Sequence, residues 1–360
     1  MSESFNSDLL QIARQVRGMS QTALSREAKL TQGYLSKLEN GLTEPTEEAL
    51  DKIAEVLRFP VSFFTQSDRI YGLPLSVHPM FRKKASVAQK NLDKLQAELN
   101  IRLLHIRRLM QVTDFDAQFE LPEIMLEDVA GGPAEVAEMV RRMWLLPNGP
   151  VRNLTECVER AGCLVIHCDF DGQQIDGVTL KTPNLPPCIF LNKNQPGDRL
   201  RFTLAHELGH IIMHKVPSPE MEQEANAFAS TLMLPPKEIK PIISGRLTLE
   251  RLAAQKPVWG MSMAALLVAA KQTKAITDNQ SQYLWRQMSK AGYRRREPAE
   301  LDIPLEQPTV MPEILRLHME ELGYNFSELQ QIMHIFEDDY NRFYCVEKKK
   351  EKRAHLRVVK

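Results

Sequence analysis

His206, Glu207 and His210 form the pentad His-Glu-Leu-Gly-His within the run Thr203 to His214. On a helix, four residues turn about 400°, so the two imidazoles share a face roughly 6 Å apart along the axis. Both can then reach one Zn²⁺ at about 2.0–2.1 Å. Glu207 sits beside that face, where its carboxylate can take a proton from a water that the metal activates. Two surface histidines on an ordinary helix would show the same spacing, so a third ligand has to discriminate. His214 lies about 12 Å along the axis from His206, which fits a supporting or packing role. Met213 and Val216 stand where a longer three-histidine pattern needs Gly and His, so that pattern fails. A carboxylate from Glu222-Gln-Glu-Ala-Asn226 remains. Glu222 and Asn226 share a helix face, whereas Glu224 points roughly 160° away from Glu222. Glu222 is therefore favoured over Glu224 as ligand, with Asn226 placed to orient a ligand histidine.

A second constellation lies near the N-terminus. Ser20 is a good N-cap for a helix from Gln21 to Ala28, with Leu24 and Ala28 on one face. Lys29-Leu30-Thr31 breaks that helix, Thr31 caps the next (Gln32 to Glu39), and Asn40-Gly41 supplies a left-handed stop. Leu35 and Leu38 face inward, leaving Gln32, Gly33, Tyr34, Ser36 and Lys37 outward. Gln pairs with adenine, Lys with guanine or phosphate and Tyr with phosphate, so this face fits a DNA major groove. Gln21, at a helix N-terminus, is placed to hold a backbone phosphate.

The elements that must position these groups differ along the chain. Strand signals at Cys163–Cys168, Val178–Lys181 and Cys188–Leu191 are separated by Asn, Asp, Gly and Pro, and helices follow at about 198–214 and 219–233. His167, Cys163 and Cys168 read as ordinary sheet residues rather than a second metal site. Between Arg69 and Val112, nine Lys and Arg residues stand against Asp93 and Glu98. Leu92, Leu95, Leu99, Ile106 and Leu109 there keep helical spacing, which predicts a long basic helix from about Ser86. Its simplest reading is a linker with solvated charges; dimerisation or phosphate contact is the sharper alternative. After Pro236 the pattern is helical to about residue 345, apart from an extended Pro-containing segment at 298–312.

Overall composition is that of a soluble globular protein, with 43% hydrophobic and 26% charged residues, and 46 basic residues balance 46 acidic ones. Nucleic-acid contact must then come from a local patch. The longest apolar run, Met263 to Ala270, is less than half the roughly 20 residues that a membrane helix needs. The opening Met-Ser-Glu-Ser-Phe-Asn lacks the features of a signal peptide, and five cysteines make no disulfide framework. A cytoplasmic protein without membrane contact is expected.

Two resemblances extend this reading. The string Ser20 to Leu57, with Gln21, Ser36-Lys-Leu-Glu-Asn-Gly41, Pro45 and the Leu50-Ile53-Ala54-Leu57 helix, resembles the Cro/repressor-like (XRE) helix-turn-helix family. It departs at Lys29, where the family often has a turn glycine; a non-Gly residue there costs about 1 kcal/mol if the backbone is left-handed. The string Arg201 to His210, then Glu222-Gln-Glu-Ala-Asn-Ala-Phe-Ala229 and Met233-Leu-Pro235, resembles the ImmA/IrrE metallopeptidases over roughly 130–240. That resemblance implies a small zincin whose Zn²⁺ is held by His206, His210 and Glu222, with Glu207 as general base. It also implies an endopeptidase that cuts, or triggers cutting of, a repressor.

The expected fold is α+β and mostly α. An all-α helix-turn-helix domain (1–68) leads through a basic helical linker (69–115) to a small α+β zincin domain with a short sheet (116–245). A helical accessory domain (246–345) and a basic tail (346–360) follow. The expected function is a regulator that binds a double-stranded DNA operator as a homodimer and cleaves itself or a repressor or antitoxin partner. The alternative is a non-catalytic repressor or antitoxin that uses the zincin fold as sensor or scaffold.

Overall fold

The computed structural model describes residues 4–72, 89–113, 115–170 and 175–344; the basic tail expected at 346–360 lies outside them. The chain divides into two compact units. One combines residues up to Gly72 with Ala88–Thr113 and the chain from Ile314 onward, and the other contains Asp114–Glu313.

The first unit opens with four helices, α1 (Ser7–Val16), α2 (Gln21–Glu27), α3 (Gln32–Glu39) and α4 (Glu47–Leu57). Asn6, Ser20, Thr31 and Thr46 cap them, each side-chain oxygen accepting from a first-turn backbone N–H. Leu9, Leu24, Leu35, Leu38, Ile53 and Phe63 are fully buried between these helices, each contributing about 1.5–3 kcal/mol of burial free energy. Helix α5 (Gln89–Leu109) follows.

The second unit holds α6 (Gly132–Met143), α7 (Leu154–Arg160), strands β1 (Leu164–Cys168), β2 (Gly177–Leu180) and β3 (Cys188–Asn192), then α8 (Gly197–Met213), α9 (Met221–Met233), α10 (Pro236–Ile243), α11 (Leu249–Trp259), α12 (Met263–Gln272) and α13 (Asp278–Lys290). The sheet runs β1-β3-β2. β1 pairs parallel with β3 and β2 antiparallel with it, Ile166 and Val178 both facing Phe190 in register. β3 is buried along its whole length, as a central strand must be, and β2 is left as an edge. Val140, Ile189, Leu204, Phe228, Leu266 and Met288 share one core, so α11 to α13 belong to the same packed body as the sheet.

The chain then returns to the first unit through α14 (Val310–Glu320), α15 (Phe326–Met333) and α16 (Glu337–Tyr344). Arg17 forms a bidentate pair with Asp339 at 2.6 and 2.8 Å. Arg102 donates to the Phe343 carbonyl at 3.1 Å, and His105 Nδ1 stands 2.7 Å from the Tyr344 hydroxyl.

Two expected boundaries therefore move. Within the 69–115 stretch, the described helix α5 is not a solvated linker: Leu92, Leu95, Leu99, Ile106 and Leu109 are buried, and so are Glu98, Asn100, Arg102 and His105 on other faces. Three of its charges are engaged internally, Arg102 with Glu98 and Arg107 and Arg108 with Asp68, which removes those three as phosphate contacts. The expected accessory domain at 246–345 is split, its first part completing the core of the second unit and residues 314–344 closing over α5 in the first. Among the described residues, no helix is long and apolar enough to cross a membrane.

Candidate functional site

Helix α8 presents His206, Glu207 and His210, and α9 presents Glu222 and Asn226. A Cβ at Gly209 would stand 3.0 Å from Phe228 Cδ1 and 3.4 Å from the Ala225 Cα. The glycine between the two histidines thus allows the close approach of α9 that brings Glu222 to them. One ligand atom each from His206, His210 and Glu222 lies within 4.8 Å of the others, the one such group of three among the described residues. The two Nε2 atoms are 3.0 Å apart. Glu222 Oε1 is 3.3 Å from His210 Nε2, and Oε2 is 3.7 Å from His206 Nε2.

Hydrogen bonds behind the cluster set the tautomers. Asn226 donates its amide to the Glu222 carbonyl at 2.7 Å, which turns its Oδ1 toward His206 Nδ1 at 3.1 Å. His206 Nδ1 must then carry the hydrogen, leaving a lone pair on Nε2. Behind His210 runs a chain that the sequence did not disclose. Glu224 Oε2 accepts from His214 Nε2 at 3.0 Å, and His214 Nδ1 stands 2.9 Å from His210 Nδ1. With its hydrogen on Nε2, His214 can only accept at Nδ1, so His210 donates there and keeps a lone pair on its own Nε2. Burial lowers the pKa of His206, and burial with the neighbouring His210 and His206 rings takes His214 down to about 4, so both rings are neutral near pH 7. Glu224 does point away from the cluster, yet it acts on it through His214.

Three acceptor atoms thus converge with no hydrogen between them, an arrangement that a cation resolves. Tetrahedral ligands about 2.05 Å from an ion sit roughly 3.3 Å apart, and the separations of 3.0, 3.3 and 3.7 Å bracket that value. Two imidazoles and a carboxylate are a donor set that zinc accepts. The residues fit the metal.

Glu207 is buried beside the cluster, and its Oε2 accepts from the Thr179 hydroxyl at 2.7 Å. Thr179 lies on edge strand β2, which runs close against α8 because a Cβ at Gly177 would fall 2.6 Å from Thr203 and 3.2 Å from Glu207. Sequence reasoning missed Thr179; a glycine at the head of an expected strand was the signal available. Arg201 fixes the start of α8, donating to the Val151 and Arg152 carbonyls at 2.6 and 3.2 Å and pairing with Glu306. Cys163 and His167 belong to the sheet region, where burial pushes the thiol up to about 12 and the imidazole down to about 4.

In the first unit, Gln32, Gly33 and Lys37 are exposed, and Tyr34 and Ser36 half-buried, along α3. Gln21 is engaged within the protein: it donates to Glu39 at 2.8 Å and accepts from Gln32 at 3.1 Å. Glu39 is itself clamped by Arg14 at 2.5 and 2.8 Å. The Tyr34 hydroxyl accepts from the Thr46 backbone at 3.3 Å. Lys29 does adopt the left-handed backbone, with φ of 56°.

Residues 10–64 match a helix-turn-helix family model, and residues 158–271 match the model of the IrrE N-terminal-like domain, a peptidase family. The chain fuses an XRE-type helix-turn-helix domain to an IrrE-like peptidase domain. The IrrE-like match begins in α7 and ends in α12, beyond the boundary expected at 245 and in keeping with the shared core. The helix-turn-helix domain gives the chain the architecture of a DNA-binding regulator. No curated protein is significantly similar to the chain.

Proposed function

We propose that this chain is a transcriptional regulator whose IrrE-like domain is a zinc-dependent endopeptidase acting on the chain itself or on a partner repressor or antitoxin. The observation that carries the peptidase reading is the convergence of His206, His210 and Glu222 with a buried Glu207 carboxylate beside them. Zinc held there would supply Lewis acidity, polarising a peptide carbonyl and acidifying water. Asn226 orients His206, and the His214–Glu224 pair orients His210. Thr179 holds Oε2 of Glu207, leaving Oε1 to take the proton of the attacking water and return it to the leaving amine. Such a role is worth about 10²–10⁴ in rate.

On the DNA side, Gln32, Gly33, Tyr34, Ser36 and Lys37 are the groups that read the major groove. The α2 N-terminus at Gln21 meets a phosphate through its backbone, while the Gln21 side chain orients Gln32. One helix-turn-helix reads a half-site, so the operator is an inverted repeat bound by a homodimer.

Metal analysis of the purified chain tests the ligand assignment. One zinc per chain is expected, lost in His206→Ala, His210→Ala and Glu222→Ala and kept in Glu207→Gln. Full zinc in Glu222→Ala would remove that residue from the ligand set.

A further inference from the structure

A cavity of about 360 Å³ opens within the second unit, between α8, the end of α9, α11, α12 and the segment after α13. Most of its wall surface is apolar, formed in part by Phe202, Leu234, Met261, Ala265 and Val268. Val268 lies on a helix whose other large apolar side chains are buried, yet it is 39% exposed because it faces this space. The volume falls in the range of roughly 300–1,000 Å³ used for small organic ligands.

The charges around the cavity are unequally matched. Lys256, buried at its edge, donates to Asp198 and to Glu297 at 2.7 Å each. Burial opposes the charge on that ammonium, but the two carboxylates outweigh it and raise its pKa. The second oxygen of Asp198 accepts from the Arg199 backbone at 2.8 Å, and that of Glu297 from the Ala264 backbone at 3.3 Å. Asp302 pairs with Arg296, and Arg199 with Asp176. Every lining carboxylate is therefore engaged inside the protein. Arg295 has no carboxylate partner among the described residues, and Arg294 has only the Trp285 ring, 5.2 Å from its guanidinium. Two cationic forks without counter-charges thus stand at the mouth of an apolar space. A neutral apolar occupant would leave them unmatched, and a cation would meet repulsion with no free carboxylate to offset it.

We propose that this cavity is an effector site for a small amphiphilic carboxylate, its apolar body against α12 and its head on Arg294 and Arg295. An occupant would bear on the candidate metal centre through both helices that build it. Phe202 stands one turn before His206 on α8, and Ser230 one turn after Asn226 on α9, about 6 Å in each case. The site does not depend on the peptidase reading, since no metal ligand contributes to it.

Calorimetric titration of the full chain with octanoate, octan-1-ol and octylamine, with zinc present and again after chelation, tests the proposal. Octanoate is expected to saturate one site per chain in both conditions, with the alcohol and the amine weaker. The exposed double variant Arg294→Ala/Arg295→Ala should weaken octanoate roughly tenfold or more, the loss of charge-assisted bonds. Val268→Trp, which fills the cavity from an exposed position, should abolish binding. Absence of saturable octanoate binding, octan-1-ol binding as tightly as octanoate, or a double variant equal to wild type would overturn the assignment.

Discussion

The Lys37 side chain on α3 is exposed and makes no hydrogen bond or ion pair among the described residues, whereas the His210 side chain on α8 is 5% exposed and stands against His206, His214 and Glu222. The first helix face offers free donors to whatever approaches it. The second holds each functional atom by another group: His206 by Asn226, His210 by His214 and Glu224, Glu207 by Thr179. A reading face tolerates change one contact at a time, while a convergent cluster transmits change from residues that never touch the ion or substrate. Gln21 lies between the two cases, since its side chain supports Gln32 from within the protein.

Substitution separates the two designs most strongly at the ligands. His206→Ala or Glu222→Ala should weaken zinc, measured by chelator competition, by more than the roughly 10–100-fold typical of outer-shell changes. His214→Ala and Glu224→Ala should fall within that 10–100-fold range. Glu224→Gln should keep most of the affinity, because its amide oxygen still accepts from His214. Wild-type affinity in His214→Ala would break the proposed transmission.

On the open face, Lys37→Ala and Gln32→Ala should each cost operator affinity about 1–3 kcal/mol where a bidentate base contact is lost, without altering zinc content. Binding should weaken steeply with added salt. Mutants that bind operator like wild type would remove α3 as the reading helix.

Acid should reveal a further buried group in the first unit. Burial, reinforced by Arg108 and Arg102, holds the pKa of His105 well below its usual value. The unfolded chain therefore takes up this proton first, and the stability it provides is lost as pH falls below about 6.5, with a slope up to roughly 1.4 kcal/mol per pH unit. His105→Gln should flatten that part of the urea-midpoint profile between pH 7 and 5. The smallest expected effect is at Lys29, where Gly should stabilise the fold by about 1 kcal/mol by relieving the left-handed backbone.

What could be read from the sequence was what local periodicity fixes. Four-residue spacing places His206 with His210 and Glu222 with Asn226, and capping residues delimit α2 and α3. What could not be read depends on partners remote in the chain. The burial of Arg102 and His105 needs Phe343 and Tyr344, more than two hundred residues on. Thr179 meets Glu207 only because β2 is the strand left at the sheet edge against α8. The division of the C-terminal region falls inside the continuous helix α14, between Glu313 and Ile314, where no loop signal marks it.

The central claim rests on Glu207, and Glu207→Gln tests it most directly. The change nearly preserves volume and leaves His206, His210 and Glu222 in place, so zinc content and operator binding should remain at wild-type levels. Cleavage of the chain itself or of the partner repressor or antitoxin, followed on gels beside expression of the controlled genes, should fall by about 10²–10⁴, and those genes should stay locked in the uninduced state. Normal regulation by the variant, with no cleavage product from either variant or wild type, would contradict the peptidase account and leave the domain as a zinc-holding sensor.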